Sequence, residues 1–312
     1  LGAHLALPGD LGKAARLDDA IGRYAESVKR ALPRGTTLEG LKVVVDCANG
    51  AAYKVAPQVL WELEAEVVSI GDDPNGRNIN DGYGAMATDK LQAAVMEHGA
   101  DIGIALDGDA DRLIMVDETG AKIDGDQLMA ALAVSMQEAG DLQGSALVAT
   151  VMSNLGLERF LKARGIGLIR TAVGDRYVSE TMRAEGFNLG GEQSGHLILS
   201  DLNTTGDGLQ AAIKICSFLK ESGKKASEAL HLFAPLPQIL RNVEFKDGKP
   251  LEKPEVQVAI EKAQGALDGS GRVLVRASGT ESLIRVMAEG DDPGKVEGVV
   301  NDLCAVIEKA AG

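Results

Sequence analysis

Cysteine, aromatic side chains, long apolar runs and basic charge are all in short supply in this 312-residue sequence. Its three cysteines, Cys47, Cys216 and Cys304, are odd in number and far apart, which argues against a disulfide framework or a zinc cluster and fits a reducing cytoplasm. The apolar runs are too short to span a bilayer, and the start shows no signal-peptide pattern. A formal net charge of -14 speaks against nucleic acid or an anionic membrane as partner, so an anionic substrate requires a local cationic pocket. Methionine is missing from the first position, which is Leu1, and this points to a piece of a longer protein. What is present is ordinary for a soluble globular chain, 45% hydrophobic and 25% charged, and long enough for two or three cores.

Apolar periodicity alternates between helix and strand. A helix near Leu17 to Leu32, a strand Lys42 to Asp46, a helix Val55 to Leu63, a strand Glu66 to Ile70, a helix Thr88 to His98 and a strand Asp101 to Leu106 predict a βαβαβ unit. A second unit follows, with helix Gln127 to Glu138, strand Ala146 to Val151, helix Leu155 to Arg164, strand Gly167 to Thr171, helix Tyr177 to Glu185 and a further helix from Gly208 to Lys220. After His231 the run Ala234-Pro235-Leu236-Pro237 reads as a linker, since proline interrupts helix and sheet alike. The remainder has strands Gln238 to Phe245, Arg272 to Arg276 and Leu283 to Ala288 with two helices. The expected fold class is α/β: two consecutive α/β domains with mixed, mainly parallel sheets, plus a smaller C-terminal α+β domain. The expected division is 1–15 as linker, 16–118, 119–233 and 234–312.

Asp107, Asp109 and Asp111, at every second position in LDGDADR, follow an apolar strand and precede Arg112. Carboxylates so close repel one another, and a hard cation shared between them relieves the repulsion, with magnesium the natural candidate. In an extended chain Asp107 and Asp111 would lie roughly 13 Å apart, so the loop must curl, which Gly108 and Ala110 allow. An EF-hand also opens with alternating acids and closes on an acid, but it needs glycine where this chain has Arg112. A solvated acidic turn is the other reading.

Two further loops carry chemistry. In Arg276-Ala277-Ser278-Gly279-Thr280-Glu281, backbone amides and hydroxyls around Ser278, Gly279 and Thr280 suit an anion, and Arg276, with Arg285 close by, supplies charge for a phosphate. The same letters also make ordinary hairpin turns. In Gly190-Gly191-Glu192-Gln193-Ser194-Gly195-His196, glycines expose Glu192 and Ser194 in a pairing suited to neighbouring sugar hydroxyls, and His196 has the chemistry to exchange protons. A plain hairpin with a satisfied histidine is the alternative.

Taken in this order, the loops DGDADR, GEQSG and RASGT, together with DCANGAAY at Asp46 to Tyr53 and TAVGDRYV at Thr171 to Val178, resemble the α-D-phosphohexomutase superfamily, most nearly its bacterial members acting on glucosamine phosphate. The resemblance runs from Leu1 to Gly312. It implies Mg2+ on Asp107, Asp109 and Asp111, and catalytic parts for Arg112 and for His196 as acid/base. It implies sugar held by Glu192 and Ser194, phosphate held by Arg276, Ser278, Gly279, Thr280 and Arg285, and a cleft lined by Asp175 and Arg176, which otherwise cap the following helix. The implied reaction interconverts glucosamine 6-phosphate and glucosamine 1-phosphate through a bisphosphate, toward the UDP-N-acetylglucosamine of bacterial cell walls. Glucose or mannose phosphates are the neighbouring substrates.

The superfamily's phosphoserine, carried in a TASHNP-like loop of a first domain, has no match in these residues. The resemblance therefore implies a fragment that is inactive alone, that binds magnesium weakly because the phosphoserine completes the metal shell, and that leaves room for a homodimer in a full-length form. Two rivals come from other classes. A haloacid-dehalogenase-type phosphatase also uses an Asp-x-Asp pair with magnesium, but has no place for the GEQSG and RASGTE loops. A non-catalytic sugar-phosphate-binding or protein-interaction fragment is favoured by the missing serine.

Overall fold

The computed structural model describes residues 6–246, 248–278 and 281–311. Gly279 and Thr280 of the expected phosphate loop lie outside the described residues. The first helix, α1 (Ala20–Lys29), starts later than its apolar spacing predicts, because Leu17 stands in solvent with nothing to pack on. There follow β1 (Lys42–Asp46), α2 (Val55–Glu62), β2 (Glu66–Ile70), α3 (Asp89–His98), β3 (Ile102–Leu106), β4 (Leu113–Asp117) and β5 (Lys122–Ile123). The sheet order is β2-β1-β3-β4-β5, with β1 parallel to β2 and β3, while β4 and β5 run antiparallel. β1, β3 and β4 are continuous apolar stretches because helices cover both their faces.

The second sheet is built from β6 (Ala146–Thr150), β7 (Gly167–Thr171), β8 (Leu189–Gly191) and β9 (Leu197–Leu199), in the order β7-β6-β8-β9. It carries α4 (Gly125–Ala139), α5 (Leu155–Lys162), α6 (Asp175–Glu185), α7 (Gly208–Ser222) and the short α8 (Ala226–Ala229). The pairings of β6 with β7 and β8 are parallel, and β8 with β9 makes a hairpin around the GEQSG loop. α7 packs on β3 and β4 of the first sheet and on β9 of the second. Buried side chains from both sheets accordingly merge into one cluster, from Ala25, Val43 and Met115 through Leu132, Leu147 and Leu189 to Ile213 and Leu230.

The C-terminal part is β10 (Gln238–Glu244), α9 (Pro254–Leu267), β11 (Gly271–Ala277), β12 (Leu283–Gly290) and α10 (Pro293–Ala311), with an antiparallel sheet β10-β12-β11. One sheet face, with Val243, Ile284, Val286 and Ala288, meets α9 and α10 in a core of its own. Among the described residues no helix is long and apolar enough to cross a membrane.

A polar joint ties this part to the second sheet. Asn154 Oδ1 accepts from Gly156 N–H at 2.8 Å, capping α5, and from Leu236 N–H at 2.9 Å, while its Nδ2 donates to the Leu236 carbonyl at 3.0 Å. Arg170 and Arg272 both donate to the Ser153 carbonyl, at 2.8 and 2.7 Å, and Arg272 also pairs with the fully buried Glu289. Beneath them Asp126, 1% exposed, accepts the Asn154 N–H at 2.8 Å. Burial pushes its carboxyl up to about 7. The unfolded chain gives up that proton near the ordinary carboxylate value, so between about pH 4 and 7 the native state holds the extra proton and this group's contribution to stability falls as pH rises, by about 1.4 kcal/mol per unit. Asp126→Asn should flatten that slope: urea unfolding at pH 5 and pH 8 is expected to show a smaller loss for the variant, and equal losses would contradict the assignment.

Candidate active site

Both α/β sheets turn their strand carboxyl ends toward one place. β3 ends at Leu106, and the chain then curls through Gly108 and through Ala110, which takes a left-handed φ of 63°. The curl gathers one carboxylate oxygen from each of Asp107, Asp109 and Asp111 within 4.8 Å of one another. Three hard anionic donors in so small a space suit a hard divalent cation. The Arg112 amide donates to Asp107 Oδ1 at 3.1 Å, and its guanidinium Nε stands 3.8 Å from Asp107 and 3.9 Å from Asp111. Burial pushes the Asp107 carboxyl above its usual range, helped by the negative charges of Asp111 and Asp109 and opposed by the Arg112 amide. A divalent cation would relieve that repulsion, so the residues fit the ion.

The loop is held from three sides. Ala51 N–H donates to the Gly108 carbonyl at 2.8 Å, and a Cβ at Gly50 would overlap that carbonyl, which accounts for the glycine in DCANGAAY. Asp46, fully buried at the end of β1, accepts from Ala48 N–H at 2.9 Å and Gly84 N–H at 2.7 Å, bracing the loop of residues 71–84 whose Ile79 and Asn80 lie against Gly108. The start of α7 closes the third side: Gly208 N–H donates to the Ala110 carbonyl at 2.9 Å, and Tyr24 donates to the α7 cap, Asp207, at 3.0 Å. The positive end of that helix therefore faces the acidic loop. The bracing by residues 71–84 escapes periodicity, although an uncommonly long, Asn- and Gly-rich loop is itself a functional signal.

The GEQSG loop meets the acidic loop directly. Leu113 N–H donates to the Gly195 carbonyl at 2.9 Å, Gly125 N–H donates to the Gln193 carbonyl at 3.1 Å, and Arg112 and His196 form an isolated antiparallel bridge. His196 Nδ1 lies 3.1 Å from Asp111 Oδ2. Glu192 is steadied by the Gly174 N–H at 3.1 Å, a contact that only glycine permits there because its φ is 129°. Glu192 and Ser194 are half-buried at the turn. Asp175 opens α6 with one oxygen 3.9 Å from His196 Nε2, and Gly174, not Asp175, occupies the cap position. Arg176 pairs along the helix with Glu180 at 2.8 Å and is largely exposed.

Arg276 and Arg285 face each other as cross-strand partners on β11 and β12, with Asn242 next in line on β10. Burial, reinforced by the Arg285 charge, pushes the Arg276 guanidinium down, and among the described residues its buried Nε has no partner. Two adjacent cations with a donor in reserve suit a phosphate dianion. Arg285 is steadied by Glu281 at 3.3 Å, and Ser278 N–H donates to the Leu283 carbonyl at 2.7 Å. The chain thus brings the acidic loop, the GEQSG loop and Asp175 into contact, and carries the arginine pair on a separate sheet beyond the polar joint.

Family models described as the phosphoglucomutase/phosphomannomutase alpha/beta/alpha domain II, alpha/beta/alpha domain III and C-terminal domain match residues 22–120, 124–236 and 240–306. A phosphoglucosamine mutase of Rhodospirillum centenum is 60% identical over 311 residues, which is 99% of this chain and 66% of that protein. One from Novosphingobium aromaticivorans is 58% identical over 98% of this chain and 69% of its own length. The chain thus spans about two thirds of the relatives it matches. Among solved structures, an Aspergillus fumigatus N-acetylphosphoglucosamine mutase in complex with GlcNAc-6P and magnesium superposes with a TM-score of 0.72 at 22% identity, over 94% of this chain and 65% of that one. A phosphoglucomutase/phosphomannomutase family protein of Burkholderia thailandensis gives 0.75 at 22% identity, over 93% and 64%. At that identity these likenesses speak for the fold.

Proposed function

The chain belongs to the phosphoglucomutase/phosphomannomutase family, and from that membership we propose that it forms the magnesium-, sugar- and phosphate-binding portion of a phosphoglucosamine mutase, which interconverts glucosamine 6-phosphate and glucosamine 1-phosphate. One observation carries the reading: three carboxylates gathered at a strand end and joined through Asp111 and His196 to the turn that presents Glu192 and Ser194. Relatives named phosphoglucosamine mutase, at 57 to 60% identity, favour the amino sugar over glucose or mannose. The proposed division is 16–118 for metal, 119–233 for sugar and 234–312 for phosphate, supported by the family matches to 22–120, 124–236 and 240–306.

Asp107, Asp109 and Asp111 would hold Mg2+, which when bound neutralises charge on a phosphoryl group undergoing transfer. Arg112, held beside the same loop, places a second positive charge where phosphoryl oxygens gather. Glu192, fixed by Gly174, accepts hydrogen bonds from sugar hydroxyls, and Ser194 donates or accepts beside it. Asp175 sits at the rim of the same cleft, while Arg176, turned along α6 to Glu180, reaches substrate only by leaving that pair. Arg276 and Arg285, with Ser278, Gly279 and Thr280, grip the phosphate that is not reacting. An acid/base role for His196 requires Nε2 to reach a sugar hydroxyl, and that nitrogen is closed off from solvent.

The test is binding and turnover by this polypeptide. It should bind glucosamine 6-phosphate without converting it, since no TASHNP-like serine loop lies within its 312 residues. Arg276→Ala should weaken both the sugar phosphate and inorganic phosphate about tenfold or more, consistent with loss of a charge-assisted hydrogen bond. Ser194→Ala should weaken the sugar phosphate alone. Turnover by pure protein, or identical behaviour of the two variants, would overturn the assignment.

A further inference from the structure

We infer, building on the magnesium reading above, that His196 is a positioning residue, whose Nδ1–H fixes the Asp111 carboxylate so that its other oxygen is aimed at the cation. A carboxylate is an acceptor only, so the 3.1 Å pair of His196 Nδ1 and Asp111 Oδ2 requires the hydrogen on Nδ1. That leaves Asp111 Oδ1, 3.9 Å from the Arg112 Nε, outside the histidine pair.

The rest of the residue is held as a support would be. The residue is 4% exposed, and among the described residues its Nε2 is buried with no hydrogen-bond partner. The Asp175 oxygen, at 3.9 Å, is too far for a hydrogen bond. Gly206 lies flat against the ring, and a Cβ there would fall 2.6 Å from Cε1 and nearer still to Nε2. The backbone of His196 is equally fixed, bridging to Arg112 and accepting the Glu192 N–H at 2.9 Å. A ring walled in on the Nε2 side and bonded on the Nδ1 side has its free energy invested in orientation. Partners that orient metal-ligating carboxylates are worth about ten- to a hundredfold in metal affinity.

Mn2+ serves as the probe, its binding to the 312-residue chain followed by electron paramagnetic resonance and titration calorimetry. His196→Asn sets an amide N–H where Nδ1 stands, whereas His196→Gln sends its amide toward the Nε2 position. The expected result is Mn2+ affinity within about twofold of wild type for the Asn variant and about tenfold weaker for the Gln and Ala variants. If the Ala variant fails to fold, the Asn and Gln proteins, both polar and of similar volume, decide the matter. An unchanged affinity in the Gln variant, or an Asn variant as weak as Gln, overturns the positioning role while leaving the magnesium reading intact. A wild-type chain that takes up no Mn2+ sinks the magnesium reading, and this inference with it.

Discussion

Replacing Gly195 with alanine is expected to cost about 3 kcal/mol of stability or more and to separate the two loops of the site. Gly195 has φ of 94°, outside the range comfortable for an L side chain, and a Cβ there would overlap the Leu113 carbonyl oxygen and stand 2.8 Å from its carbon. Neither side of the contact can yield. Leu113 heads β4, whose side chains are buried throughout, and its N–H returns a hydrogen bond to the Gly195 carbonyl. A control separates the two sources of cost. Gly186 also has a positive φ, 78°, but open space where its Cβ would go, so Gly186→Ala should cost only about 1 kcal/mol. Equilibrium urea unfolding of the pair measures the difference, and comparable losses would show that the close approach of Gly195 to β4 carries little energy.

Asp109→Asn is expected to move binding and stability in opposite directions. Removing one of three carboxylates from the cluster takes away a ligand charge, and Mn2+ affinity should fall about a hundredfold, since ligand charge count sets affinity at hard-cation sites. The metal-free protein should meanwhile unfold at the same or a slightly higher temperature, because the charge of Asp109 helps push the neighbouring Asp107 carboxyl upward. A binding loop that opposes its own folding is what a functional cluster looks like, whereas a solvated acidic turn would lose nothing on substitution. Calorimetric titration and thermal unfolding in chelator read the two quantities. Unaltered metal binding would return the loop to the status of a surface turn.

Much of this was legible in the sequence. Glu66–Ile70 and Gly167–Thr171 match their predicted bounds, each a short segment with apolar residues at its centre. β5, β8 and β9 are two or three residues long, too short for any period to register. The hairpin reading of GEQSGH and its reading as a sugar loop turn out to be compatible, since β8 and β9 form the hairpin that presents the loop. The acidic loop announced itself through spacing and curl. The pairing of His196 with Asp111, 85 residues apart, did not, nor did the Gly174 grip on Glu192, because both depend on which strand ends the fold brings together in space. The clamp of Asn154 on Leu236 was hidden for the same reason, although the prolines around it marked the connection.

One buried cluster runs through the first two sheets while the last sheet keeps a core of its own, so the molecule is built as two bodies. The acidic turn and the GEQSG turn belong to one block, joined by the hydrogen bond from Leu113 to Gly195. The arginine pair sits on the other body, which the Asn154 clamp on Leu236 and the bond from Arg272 to the Ser153 carbonyl tie to the block by hydrogen bonds. Any ligand that touches both the acidic turn and the arginine pair must therefore reach across from one core to the other.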